Sequence, residues 1–323
     1  EPSLPIVVTT SAPAFLFEGL GVTMRTLACD VGLVQRGPLA IDADATAAAC
    51  VAFRERWDDV VGQEARWLRE SGASLVLGDI PPLAFAAAHD AGLPSVALGN
   101  FSWDWIYREM ARGRDEMIAA AEAAARAYAT AGLLLELPFA GDLRAFPARE
   151  RIPMIARRAS VPRAESRRAL GLPEDRPSVL FSFGGFGFGS PRPDEVLAPL
   201  RRRFHLVDET DVARERLRSL GIGYRDVVEA ADVVVTKPGY GIVTDAIAAG
   251  IRLVYTDRGD FPEYPVMVEE MPRYLPVAYV SGEDLRAGRL EPALDDVLSR
   301  PVPERPRTDG ASVAAARLRE RLA

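Results

Sequence analysis

Lys237 is the only lysine of the chain; the other 38 of its 39 basic residues are arginine. It stands in Val233-Val-Val-Thr-Lys-Pro-Gly-Tyr-Gly-Ile-Val-Thr-Asp245, where a β-branched run meets Pro238 and a glycine turn opens a new segment. An ammonium is a compact point charge and a guanidinium a broad fork, so a lone lysine beside glycines points to a cramped site facing an anion. A second glycine turn, Phe183-Gly-Gly-Phe-Gly-Phe-Gly189, follows another apolar run. Glycine turns that enter helices present unpaired backbone N–H groups, and the helix dipole adds positive potential. Gly184, Gly185, Lys237, Gly239, Tyr240 and Gly241 are therefore candidates for holding a diphosphate. Neither turn fits the Gly-x-x-x-x-Gly-Lys-Ser/Thr phosphate loop, which argues against ATPase chemistry.

Carboxylates surround these turns. Asp245 falls one turn into the segment after Gly241, where it would either accept from a ribose diol or complement a helix N-terminus. Asp257, Asp260 and Glu263 follow the next apolar run in Tyr255-Thr-Asp-Arg-Gly-Asp-Phe-Pro-Glu-Tyr-Pro265. Asp260 and Glu263 are candidates for a donor sugar's hydroxyls, or else solvent-facing loop charges. In the first half, Asn100, Trp103 and Asp104 lie in Asn100-Phe-Ser-Trp-Asp-Trp-Ile-Tyr107 after a strand. Such rings and polar groups suit an acceptor; a core aromatic cluster is the competing explanation. Asp79 ends another strand before Ile80-Pro-Pro and is a candidate catalytic carboxylate, or a cap for the next helix.

These residues need elements to hold them, and the pattern supplies an α/β chain. Apolar runs at Ile6, Val22, Ser74, Ser95 and Leu133 alternate with helical stretches over about 43–69, 82–91 and 111–130. Residues 138–177 are rich in Pro and Arg and read as a crossing between domains. A second series of strands follows at Ser178, Phe204, Asp232 and Arg252, and an amphipathic helix closes the chain from Ala311. Strands alternating with helices imply parallel sheets covered on both faces. The expected organisation is an acceptor-side domain over 1–150, a nucleotide-sugar domain over 151–310 and a terminal helix over 311–323.

Composition narrows the partners. A net charge of −7 argues against a general nucleic-acid or membrane-surface binder, since both need a basic face. Cys29 and Cys50 are too few for a disulfide framework, and two histidines exclude a histidine metal cluster. No apolar run reaches the roughly 20 residues that span a bilayer. There is no signal-peptide pattern at Glu1, and the expected location is cytoplasmic.

The block from Gly223-Tyr-Arg-Asp through Lys237-Pro-Gly-Tyr-Gly to Gly250 resembles the donor-binding motif of GT-B glycosyltransferases, notably the MurG-like N-acetylglucosaminyltransferases that complete the peptidoglycan lipid precursor. A closer resemblance, carried by Asn100-Phe-Ser-Trp-Asp-Trp-Ile-Tyr107 and Lys237-Pro-Gly-Tyr-Gly, is to the glycosyltransferase-like N-terminal half of plant arabinokinases and its stand-alone bacterial relatives. The resemblance implies a GT-B fold: two facing doubly wound, Rossmann-like domains with a cleft between them. It further implies inverting, metal-independent transfer from a nucleoside-diphosphate sugar, a UDP-sugar first among them, to a small-molecule or glycan acceptor, with no bound cofactor. By the same resemblance Gly223 and Tyr224 read the base, and Asp245 takes the place of a ribose-binding glutamate. Those relatives begin with a strand and a Gly-His-type loop, whereas Ile6-Val-Val-Thr-Thr aligns with their second strand; a segment before it is expected to be missing. The same fold also houses sugar-nucleotide hydrolases and epimerases, and a non-catalytic sugar-nucleotide sensor is the reading from another class.

Overall fold

The computed structural model of the chain describes residues 4–35, 41–183, 193–208 and 211–322. The N-terminal half runs β1 (Val7–Thr9), β2 (Thr23–Arg25), α1 (Ala43–Glu55), α2 (Trp57–Glu70), β3 (Val76–Gly78), α3 (Pro82–Ala91), β4 (Ser95–Gly99), α4 (Trp103–Met110), α5 (Asp115–Tyr128), β5 (Leu133–Glu136) and β6 (Arg149–Arg151). The C-terminal half runs α6 (Arg163–Leu170), β7 (Ser178–Ser182), α7 (Pro193–Leu197), β8 (His205–Val207), α8 (Arg214–Ser219), α9 (Tyr224–Ala230), β9 (Val233–Thr236), α10 (Tyr240–Ala249), β10 (Arg252–Tyr255), α11 (Glu263–Glu270), β11 (Val277–Tyr279), α12 (Gly282–Arg286), α13 (Glu291–Ser299) and α14 (Gly310–Leu322).

All pairings between these strands are parallel. The C-terminal sheet has five strands in the order β11-β10-β9-β7-β8. Its two faces carry separate apolar clusters, Leu180, Val234 and Leu253 on one and Val179, Val235 and Val254 on the other. That two-sided burial is why Val233-Val-Val is an unbroken apolar run instead of an alternating one. In the N-terminal half the strands form a four-stranded sheet, β3-β4-β5-β6, and a separate β1-β2 pair.

Local chemistry sets the boundaries. Pro82 occupies the first turn of α3, where its missing N–H costs nothing, and Gly92 ends the helix in the left-handed region. Gly250 ends α10 in the same way. The helical stretch over 43–69 is corrected to two helices, α1 and α2, with Arg56 (φ −105°, ψ 2°) between them. The stretch over 111–130 becomes α5, and a further helix, α4, precedes it. The crossing over 138–177 is corrected as well, since it contains β6 and α6.

The terminal helix returns to the N-terminal half. Ala314 packs with Leu133, Leu135 and Ile152, and Arg317 Nε donates to Glu150 Oε1 at 2.7 Å. Gly310 makes that return possible: a Cβ there would meet the Pro153 carbonyl at 2.0 Å. Two rim contacts also join the halves, Arg112–Asp260 at 3.0 Å and Glu18 with Arg214 and Arg218 at 2.8 and 2.9 Å.

Candidate functional site

The lone lysine sits where the buried strand β9 ends. Thr236 Oγ1 donates to the Ser182 carbonyl at 2.5 Å, which ties the ends of β9 and β7 together. Pro238 cannot continue a ladder, Gly239 takes the extended cap position before α10, and the cap has no side-chain acceptor. The first turn of α10 carries no acidic residue, so its N–H groups and dipole present positive potential. A second cation shares this place. Arg258 Nη1 donates to the Pro238 carbonyl at 2.9 Å, and its guanidinium stacks 4.0 Å over the Phe261 ring. Burial, and then the charge of Arg258, lower the Lys237 pKa. Burial also lowers that of Arg258, against the opposing pull of Glu263. Two desolvated cations at a helix N-terminus form a positive focus in an acidic chain, an arrangement suited to a multiply charged anion.

The remaining donor-side residues have specific partners. Gly184 and Gly185 lie outside the described residues. Tyr240 accepts the Ile155 N–H on its hydroxyl at 3.3 Å, so its ring ties α10 to the inter-domain crossing while its backbone stays in the turn. Asp245, the residue expected to meet a ribose or to complement the helix N-terminus, is paired with Arg157. Its Oδ1 accepts the Arg157 N–H at 3.0 Å and its Oδ2 accepts Arg157 Nε at 2.9 Å, with Arg157 Nη2 donating to the same oxygen. The Gly223 N–H donates to Asp226 Oδ2 at 2.7 Å. Tyr224 donates its hydroxyl to Ser182 Oγ at 2.6 Å.

Asn100 directly follows β4 in the N-terminal half. Gly99 lets it sit there, since a Cβ at 99 would meet Ile80 Cδ1 at 2.0 Å. Ile80 is itself held at φ 63°, a strained conformation for a β-branched residue, with Tyr128 donating to its carbonyl at 2.8 Å. Asn100 does not present its amide to an acceptor: Nδ2 donates to Glu263 Oε1 at 2.8 Å and to the Phe139 carbonyl at 3.3 Å. Glu263 is thereby corrected as a solvent-facing loop charge: it is buried, and burial raises its pKa against the pull of Arg258 and the Asn100 hydrogen bond. Asp260 is paired with Arg112 at the rim.

Trp103 belongs to the aromatic cluster of the N-terminal half. Its ring stacks on Tyr107 with centroids 5.5 Å apart, and Nε1 donates to Asp30 Oδ2 at 2.9 Å. Asp104 is 2% exposed, which removes it from the surface available to an acceptor. Asp79 stays open to solvent after β3; desolvation by the surrounding protein and the charge of Asp30 raise its pKa. Asp30 is raised by burial, opposed by the Trp103 hydrogen bond. It also borders an apolar pocket lined by Cys50, Phe53, Trp57 and Tyr107.

Sequence reasoning thus missed Arg157, Arg258 and Asp30. Arg258 lies in the loop after β10 but reads as one arginine among many. Asp30 follows a short strand with no turn signal to mark it.

No protein-family model matches the chain. It is 29% identical over 324 residues to the L-arabinokinase of Arabidopsis thaliana, a match that covers 97% of this chain and 31% of that protein. It is 30% identical over 225 residues to the UDP-N-acetylglucosamine--N-acetylmuramyl-(pentapeptide) pyrophosphoryl-undecaprenol N-acetylglucosamine transferase of Clavibacter michiganensis, covering 64% of this chain and 57% of that one. The chain therefore spans about a third of the first relative and just over half of the second. Among solved structures, UGT89C1 of Arabidopsis thaliana complexed with UDP superposes with a TM-score of 0.57 at 15% identity, covering 99% of this chain and 93% of that chain. The likeness to arabinokinase and MurG-like transferases stands, and the fold is the GT-B fold of two parallel α/β halves.

Proposed function

We propose that the protein is a glycosyltransferase that moves a sugar from a UDP-sugar to the hydroxyl of a small-molecule or glycan acceptor. The observation that carries this reading is the convergence of Lys237, Arg258 and the N-terminus of α10 on one glycine turn. UDP as the carrier is supported by the donor in the name of the bacterial relative and by the UDP complex of the structural neighbour.

The chemistry follows from charge placement. The acceptor O–H gives its proton to Asp79, the carboxylate that directly follows β3 in the acceptor-side half. The acceptor oxygen attacks the anomeric carbon opposite the diphosphate, the bond to the β-phosphate oxygen breaks, and its electron pair stays on UDP. Inversion follows from that geometry. Lys237, Arg258 and the α10 amides neutralise the charge developing on UDP, so the reaction requires no metal ion. The ribose displaces Arg157 from Asp245, exchanging a charged partner for two hydroxyl donors. No helix among the described residues is long and apolar enough to cross a membrane.

Calorimetry with a panel of nucleoside diphosphates tests the donor side. UDP is expected to bind best, and Asp245→Ala to weaken it about tenfold, the loss of a charge-assisted hydrogen bond. Unchanged affinity in that variant removes Asp245 from the site, and no affinity of the intact protein for UDP removes the reading.

A further inference from the structure

The two halves meet through a buried chain of polar contacts, of which the transfer step uses only Arg258. Asn100 and Glu263 are each 5% exposed. The Asn100 amide, fixed by the Phe139 carbonyl, donates to Glu263 Oε1 at 2.8 Å. Glu263 Oε2 lies 3.8 Å from Arg258 Nη1, and that same nitrogen donates to the Pro238 carbonyl inside the donor turn at 2.9 Å. Four residues therefore connect the acceptor-side end of β4 to the backbone beside the lone lysine.

A buried carboxylate needs both hydrogen-bond donors and a countercharge. Here the donor comes from one half and the cation from the other. Each partner on its own leaves Glu263 incompletely satisfied. Phe139, which orients the amide, is 1% exposed and held at φ 61°, a conformation that non-glycine residues avoid. The rim pair Arg112–Asp260 is more than half exposed on both sides, at 63% and 70%, and contributes little by comparison.

We propose that Glu263 is a positioning residue that sets Arg258, and through it the Pro238–Gly241 turn, only when Asn100 reaches it across the cleft. Closure of the two halves and readiness of the donor turn are then one event. The positioning stands on these contacts alone; its consequence for UDP rests on the donor site proposed above.

Amide hydrogen exchange at Gly239, Tyr240 and Gly241, paired with UDP calorimetry, tests it. Asn100→Asp faces one carboxylate with another and is expected to speed exchange at the three amides and weaken UDP binding, each about tenfold. Glu263→Gln keeps the side-chain shape but loses the countercharge to Arg258, and is expected to shift both readouts the same way if the aspartate variant does not fold. The double variant N100D/E263Q swaps acid and amide, and should recover most of the loss seen in Asn100→Asp. A lowered melting temperature with unchanged exchange at the three amides would show a merely structural contact and overturn the proposal, as would a double variant no better than the sum of the single ones. If the intact protein bound no UDP, the donor reading would fall while exchange still decided the latch.

Discussion

The five C-terminal strands form one continuous sheet, whereas the N-terminal strands divide into a pair and a quartet. Leu253 and Val254 on the interior strand β10 are fully buried, while Val7 on β1 and Leu77 on the edge strand β3 are 43% and 47% exposed, as is Tyr279 on the C-terminal edge strand β11 at 50%. The glycine turn after β9 thus stands at the end of an interior strand of a five-stranded sheet. Its counterpart residues, Asn100 and Asp79, stand at the ends of strands in the divided half, and Asn100 is completed only by contact with Glu263. The C-terminal half places two cations, Lys237 and Arg258, beside its glycine turn, while the N-terminal half reaches that region through Asn100.

Paired leucine substitutions, one buried and one exposed, test that contrast most directly. Leu253→Ala should cost about 2–5 kcal/mol in urea denaturation, as large-to-small changes in a packed core do. Leu77→Ala should stay within about 0.5 kcal/mol, as for a surface position. An equal loss at Leu77 would mean that the edge of β3 is covered in solution, and the contrast between the halves would vanish.

Lys237→Ala should lower kcat by about 10²–10³, the effect of deleting one preorganised donor at a developing oxyanion. Because burial and Arg258 lower the Lys237 pKa, the alkaline limb of kcat should lie below the ordinary lysine value of 10.5. Lys237→Arg should remove that limb, since guanidinium stays protonated, while restoring little rate beside Pro238 and Gly239. Full activity in the arginine variant would reduce the lone lysine to a solvated loop charge.

The smallest effect belongs to the clamp between the crossing and the donor half. Asp226 accepts from the Ser160 N–H and hydroxyl, at 2.5 and 2.6 Å, and from the Gly223 N–H at 2.7 Å. Burial alone would raise its pKa, but these bonds hold it below the ordinary 3.8. Its contribution is therefore present above that value and lost as pH falls through the lowered one. Asp226→Asn should cost about 1–3 kcal/mol near neutral pH and flatten the acid limb of stability. An unchanged acid limb would assign that pH dependence to other carboxylates.

Particular elements show what was legible. The bounds of α3 and β4 are marked by Pro82, Gly92 and Gly99, and the valine run with its glycine turn marks β9 and α10. Helix α4 was hidden because Trp103-Asp-Trp-Ile-Tyr107 reads as an aromatic cluster as readily as a helix. Strand β6, Arg149-Glu-Arg, carries no apolar pattern and exists through its pairing with β5. At the site, Lys237 stood out by its rarity. Arg258 and Arg157 did not, because 38 arginines give no clue to which of them meet a buried acid.

The sequence by itself determined the alternation of strands and helices, the glycine turn at β9 and the acidic net charge, because periodicity, turn chemistry and composition are local properties. Only the tertiary structure decided the partners: Arg157 for Asp245, Asn100 for Glu263, Asp30 for Trp103. A carboxylate's role depends on which donors burial forces against it, and those donors lie up to 163 positions away in the chain.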